Sequence, residues 1–286
     1  MITPEQISNM LQDGEITPQE IAANGWLCSV TQRISKIKQP RGGYLPPKLF
    51  DAIELEGGGI SDLNPTENVN AGLVGMTIDY MTRVMSGSDT RRAFKVAHAG
   101  AEKIGELDLY DSLLSKVQGM DDESIRSAIR LSGFDVCYRA GVEFYRPVMD
   151  IDPDTETIEN VRSMVTRSLA FFDAYGPIVL DGPTFVGGYT GYVSSGDADF
   201  TTSDTIWDFK VSKQKINNKQ TLQVLMYWRL GLHSIHAPEF EEIKNLGLYN
   251  PRTNIAYLLP TNKIPEEVIT TVDREVIGYS EYDVVD

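Results

Sequence analysis

Asp199, Asp208 and Lys210 are the residues of this chain best placed to do chemistry together. Two antiparallel strands joined by a tight turn at Ser203-Asp204 bring Asp199 close to Asp208. Asp208 and Lys210 lie two apart on a strand and so point to the same face. That face then holds two carboxylates and an ammonium. Hard oxygen ligands of this kind suit Mg²⁺ or Mn²⁺. The lysine can orient or deprotonate a water beside the metal and neutralise charge on a phosphoryl group. Taken alone, the three residues read equally well as a cross-strand surface ion pair.

The next helix adds to them. Gln223 and Tyr227, at i and i+4, share one helix face, and both can hydrogen-bond a sugar–phosphate chain. By themselves they are ordinary half-buried helix residues. Lys213, Lys215 and Lys219 lie between strand and helix. By default they are a solvated loop, and beside the carboxylates they are a local cationic patch of the kind a phosphate backbone needs.

The order Gly196-x-x-Asp199, Asp208-x-Lys210, Gln223-x-x-x-Tyr227 resembles the PD-(D/E)XK nuclease superfamily, in its RecB-like branch of phage-type exonucleases and CRISPR-associated nucleases. The three motifs span about a tenth of the chain, and each is weak without the others. The branch also carries an upstream Gly-x-x-x-His helix. Gly75-Met76-Thr77-Ile78-Asp79 matches it with Asp in place of His, and Glu143 is a rival for that upstream acid. The resemblance implies an α/β fold, with a restriction-endonuclease-like core of central mixed β-sheet flanked by helices and a large helical N-terminal or inserted region. It implies Mg²⁺ or Mn²⁺ held by Asp199, Asp208, the Phe209 carbonyl and Asp79. Lys210 would activate the attacking water, and Gln223 and Tyr227 would position the strand. The reaction would be phosphodiester hydrolysis of DNA, single- or double-stranded, in phage or bacterial defence, repair or recombination. The motifs do not separate endonuclease from exonuclease, or DNA from RNA. Two alternatives stay open: a nuclease fold kept as a binding or structural subunit, and a nuclease gated by a protein partner. A homo-oligomer is open too.

Two other motif matches fail on context. Asp197-x-Asp199-x-Thr201 has the form of a haloacid-dehalogenase-type phosphotransferase signature, but the preceding residues 192–196 are too polar for the buried strand it needs. Asp150-Ile151-Asp152-Pro153-Asp154 suggests a calcium loop, but Thr155 and Val161 stand where Gly and Glu are required. That segment is expected to be a polar turn capping the next helix.

The elements that must position these residues follow from hydrophobic periodicity. Leu73, Met76, Tyr80 and Val84 give a helix over 68–85. Helical patterning continues over 90–145, including 124–138, and over 157–175. From 183 the text turns to Thr, Phe, Val, Tyr and Gly, giving strands over 184–193, 195–201 and 205–212. A helix over 220–232, a turn over 247–252, a strand over 254–259 and a last helix over 265–279 complete the chain. Thr3-Pro4 and Thr17-Pro18 signal two helix starts, residues 40–47 a loop and 57–59 a glycine break. We read one domain over 1–286, with a helical arm to 65, a helical region over 66–180 and a sheet core over 181–286.

Composition bounds the reading. Hydrophobic residues are 41% and charged residues 23%, as in ordinary globular protein. The net charge of −15 excludes a generally basic nucleic-acid coat, so any polyanion must meet a local positive patch. Cys28 and Cys137 are too few for a disulfide scaffold, a four-cysteine zinc site or an iron–sulfur cluster held by four cysteines, which leaves one disulfide at most. No basic, apolar leader opens the chain and no apolar run nears ~20 residues, so the expectation is a cytoplasmic protein without a membrane span.

Overall fold

The structure is a computed structural model and describes residues 28–57 and 62–280. The two helix starts expected at Thr3-Pro4 and Thr17-Pro18 lie outside those residues, as do Gly58 and Gly59 of the glycine break.

The described fold is α/β, with a six-stranded mixed sheet flanked by helices. Its strands are β2 (Asp51–Glu54), β3 (Leu180–Asp181), β5 (Phe200–Thr201), β6 (Thr205–Phe209), β7 (Asn245–Asn250) and β8 (Ile255–Pro260), in spatial order β2-β8-β7-β6-β5-β3. Only β6 and β7 run parallel; every other neighbouring pair is antiparallel. A separate parallel pair joins β1 (Cys28–Ser29) to β4 (Val193–Ser195).

Alternation along β6 sorts its side chains between two cores. Ile206 faces the helix α9 (Asn218–Leu232), in a cluster with Leu222, Leu225, Leu246 and Leu248. Trp207 and Phe209 face the opposite way, onto α8 (Thr155–Tyr175), where Phe171 lies edge-on to Trp207 at 4.7 Å and stacks on Tyr249 at 4.2 Å. Helix α8 is the shared spine. Its first half (Ile158, Val161, Met164, Val165) belongs to a second core with α2 (Ala71–Met85), α4 (Lys95–Ile104), α5 (Leu107–Leu114) and α6 (Asp122–Ser132). At 21 residues it is about 30 Å long, enough to serve both.

The local signals for these helices are capping signals. Asn70 caps α2 through Gly72 N–H, and Asp154 caps α8 through Thr157 N–H, so the acidic turn does cap the next helix. Asn217 and Gln220 form a reciprocal capping box at the start of α9. The short helices α3 (Thr90–Ala93) and α7 (Asp135–Arg139) complete this region.

Several expected boundaries are corrected. Residues 51–54, expected in a helical arm, are edge strand β2 on β8, because pairing with a distant strand overrides the weak local pattern. Of residues 184–193, expected as a strand, only Val193 is one, as the start of β4. Tyr189 donates its hydroxyl to Gly196 O and accepts from Phe185 N–H, closing a turn whose Gly187 has φ +95°. Residues 195–201 are strand only at β4's end and at β5, with an isolated bridge between Thr184 and Asp197. Of residues 247–252, expected as a turn, 247–250 are strand β7 and the turn starts only at Pro251; Gly247 sits inside the strand, where a Cβ would lie 2.3 Å from Trp207 Cε3. Its glycine serves ring packing. Helix 265–279 is α11 (Glu266–Thr271) followed by a π-helical segment, Val272–Ile277. Cys28 and Cys137 are both free and buried, so no disulfide joins them. Among the described residues no helix is long and apolar enough to cross a membrane.

Candidate active site

The hairpin register decides the site. Phe200 opposes Trp207 across β5 and β6, which sets Asp199 opposite Asp208 one step further along. The ladder ends there. Phe209 N–H donates instead to Asp199 Oδ2 at 2.5 Å. Lys210 N–H donates to Tyr249 O on the β7 side, so the Phe209 peptide N–H and C=O both face Asp199. Gly196, at the start of the motif, is needed for close approach: a Cβ there would lie 2.8 Å from Val30 Cγ2.

Asp208 shares the inward face of β6 with Ile206, beneath α9, and is 3% exposed. Lys210 Nζ lies 2.6 Å from its Oδ2. The contact has ion-pair distance but not hydrogen-bond direction, which leaves Asp208 Oδ2 a buried oxygen without a hydrogen-bond donor in line. Desolvation raises the Asp208 pKa, the Lys210 ammonium opposes this, and Asp199 and Asp197 add to it; the result is about 7. Burial pulls the Lys210 pKa down, but the Asp208 and Asp199 carboxylates overcome that and hold it above its ordinary value. Lys210 is therefore an ammonium here, suited to orienting water and balancing phosphoryl charge rather than to accepting a proton.

Helix α9 brings in its two motif residues. Gln223 Nε2 donates to the Tyr227 hydroxyl at 2.8 Å and to Thr31 Oγ1 at 3.3 Å. Tyr227 is buried, and that burial, with Asp208, Asp199 and Asp197 nearby, drives its pKa up. Its hydroxyl therefore stays protonated at any ordinary pH and is available to donate a hydrogen bond. The three lysines are not equivalent. Lys213 donates to the Pro65 carbonyl at 2.9 Å, whereas Lys215 and Lys219 are simply exposed.

Helix α2 carries Asp79 to the same end of the sheet. Asp79 lines a cleft of about 390 Å³ together with Asp199 and Phe209. Its pKa rises to about 6, chiefly by desolvation, against Arg83 and with Asp199 and Asp181 adding. Glu143, the rival acid, is exposed on the 3₁₀ turn Val142–Phe144 in the helical region and does not line that cleft. Gly75 has ordinary room for a Cβ, 3.8 Å from Val211, so the upstream glycine is not sterically required.

Sequence reasoning missed Arg83. It stands at i+4 from Asp79, donates to Asp79 Oδ1 at 3.0 Å and pairs with Asp181 of β3, tying α2 to the sheet edge. The i,i+4 spacing was a usable signal for Asp79; nothing local points to Asp181. Asp197 is exposed beside the cluster and adds to the upward shift of Asp208.

Three features fit a divalent cation: the hard-oxygen donor set of Asp199, Asp208 and the Phe209 carbonyl, the undirected Asp208 Oδ2, and the excess of acid around one ammonium. Against this, no group of three acidic, histidine or cysteine side chains among the described residues is drawn together as ligands. Each carboxylate is engaged by a protein donor instead: Asp79 by Arg83, Asp199 by Phe209 N–H, Asp208 by Lys210. Comparison of the chain with protein-family models, curated proteins and solved structures gave no match.

Proposed function

We propose that this chain is a divalent-metal-dependent nuclease with a restriction-endonuclease-like core, hydrolysing phosphodiester bonds of DNA. The observation that carries the reading is the meeting of Asp199, Asp208 and Lys210 with Tyr227 at the open end of the β5–β6 hairpin, with one buried carboxylate oxygen left undirected.

Asp199, Asp208 and the Phe209 carbonyl would hold Mg²⁺ or Mn²⁺, with Asp79 joining once Arg83 releases it. The bound ion would supply Lewis-acid stabilisation of phosphoryl charge and a more acidic water. Lys210, as an ammonium, opposes protonation of Asp208 and orients the water. Tyr227 donates a hydrogen bond to a phosphate oxygen, and Gln223 fixes the Tyr227 hydroxyl. Lys215 and Lys219 supply the local positive potential that a chain of net charge −15 otherwise lacks.

The test is cleavage of linear, circular and single-stranded DNA by the full chain in Mg²⁺, Mn²⁺ or EDTA, with Lys210→Ala beside it. Metal-dependent cutting lost in the variant supports the reading; metal-independent cutting, or a variant as active as wild type, overturns the site.

A second reading, a nuclease gated by a protein partner, is favoured by one surface. Tyr138, Val142, Phe144 and Met149 are each about half exposed or more within twelve residues of the helical region. Efficient cleavage by the isolated chain at physiological salt would remove the need for it.

A further inference from the structure

We propose that the basic face built by residues 36–48 and the start of helix α9 is a metal-independent grip for a nucleic-acid strand, holding it by its phosphates outside the catalytic cluster. This goes beyond the nuclease reading, since the grip uses neither the carboxylates nor a metal ion.

Charge is unevenly placed in this chain. Residues 28–50 carry five Lys or Arg and no acid. Residues 209–238 again carry five and no acid, in a chain with 26 of the first kind and 41 of the second. The fold puts the two stretches together. Helix α1 (Val30–Lys36) packs on α9, where Thr31 Oγ1 accepts from Gln223. Gln39 Nε2 donates to Asn218 O at 3.2 Å, and the Thr221 hydroxyl donates to Leu45 O at 2.5 Å. The loop after α1 therefore lies across the first turn of α9. Against a net charge of −15, the pair forms the local positive patch that a polyanion must find.

Lys38, Arg41, Lys48, Lys215 and Lys219 are all exposed, and none has an acid at ion-pair distance among the described residues. Glu275 is an acid within reach of the loop, acting on Tyr44. Arg33 serves the fold instead, donating to the Val276 and Glu275 carbonyls at 2.8 Å. The loop is held stiff. Gln39 Oε1 accepts from Tyr44 N–H, and Gly43 N–H donates to Pro40 O. Gly43, at φ +90°, lies so close to α9 that a Cβ would stand 2.5 Å from that of Asn218. Charges on a preset loop bind at a smaller ordering cost than charges on a loose one.

The face leads into the candidate site. Lys219, Gln223 and Tyr227 recur every four residues on one side of α9, about 6 Å apart along it. A strand whose phosphate meets Tyr227 passes Lys219 next and then the loop. The kind of partner follows from what the face lacks. Residues 36–48 and 212–219 expose no large apolar side chain. A protein interface is anchored by buried aromatic and apolar side chains. A nucleic-acid backbone needs repeated positive charge and no such anchor.

The test is fluorescence anisotropy of the full chain in EDTA with a labelled single strand and a labelled duplex, from about 50 to 200 mM salt. Wild type is expected to bind without metal, with affinity falling steeply as salt rises. In the triple variant Lys38→Gln, Arg41→Gln, Lys48→Gln the affinity at low salt should fall by roughly tenfold or more, and the slope of log affinity against log salt should flatten by roughly two to three. Lys215→Gln with Lys219→Gln, on the other element, should flatten it by about two. Lys116→Gln, paired with Glu123 in the helical region, should change neither. Binding that appears only with Mg²⁺, or basic-face variants with wild-type affinity and slope, would overturn the proposal. So would polyglutamate binding as tightly as DNA, since the face would then fit an acidic protein. Cleavage by the same samples separates the two readings. Cutting in Mg²⁺ with no binding in EDTA leaves the nuclease and removes the grip. Binding in EDTA with no cutting in Mg²⁺ or Mn²⁺ leaves the grip and removes the nuclease.

Discussion

Arg229–Asp273, a buried ion pair, and Lys210–Asp208, a buried carboxylate with a half-buried ammonium, both lie beside helix α9, and they are built in opposite ways. Arg229 donates Nε to both carboxylate oxygens of Asp273 at 3.1 Å and Nη2 to Oδ2 at 2.8 Å. Its fork geometry leaves each oxygen of Asp273 with a directed donor. That pair fastens the π-helical segment to α9. Lys210 offers Asp208 a point charge, and one carboxylate oxygen keeps no directed donor. Cross-linking wants a closed pair. A site that must exchange its partner for a cation or a phosphate wants an open one, and pays in stability for keeping it.

The sharpest way to break this comparison is to truncate one partner in each pair. Lys210→Ala should lower cleavage by about a thousandfold or more while the far-ultraviolet circular dichroism stays unchanged. Asp273→Ala should do the reverse. It strands a buried guanidinium and should cost about 3–5 kcal/mol in urea unfolding. A stable, fully folded Asp273→Ala protein would remove the structural half of the contrast.

The open pair should also appear in the pH dependence of stability. With Asp208, 3% exposed, raised to about 7, and Asp79, whose side chain is over a third exposed, adding less, the folded state binds more protons than the unfolded one from about pH 4 to 7. Stability should therefore fall as pH rises through that window, by on the order of a few kcal/mol in total. Asp208→Asn should flatten the slope. A urea midpoint that is level from pH 5 to 8 in wild type would show that Asp208 is not held as the structure has it.

A smaller effect is expected at the frame. Gly196→Ala pushes a methyl against Val30 and should cost about 1–3 kcal/mol in thermal unfolding. Smallest is the surface contrast among the lysines. Lys219→Gln, at an exposed position, should weaken DNA binding by roughly 1 kcal/mol or less and leave stability unchanged. A large loss of stability there would mean the residue is structural.

Legibility in the sequence followed range. Helices α2, α8 and α9 were read within a few residues because each carries its own periodicity and its own cap at Asn70, Asp154 or Asn217. The hairpin carrying Asp199 and Asp208 was legible because its turn is local. Strands β2 and β7 were not. Residues 51–54 are exposed, with no alternating pattern to read, and β7 holds Gly247 and Asn250, which look like turn residues until Trp207 and β8 are placed beside them.

The same division holds for the candidate site. The order of carboxylates, lysine, glutamine and tyrosine is local information, fixed by strand and helix periodicity within some thirty residues. What only the tertiary structure decided is which upstream acid reaches them, that Arg83 stands between Asp79 and Asp181, and that α2, the turn into α3 and α8 enclose a cleft with Arg92 on its rim. Those relations join residues about a hundred positions apart. They depend on how α8 packs against both cores, and no short-range pattern encodes the angle of that packing.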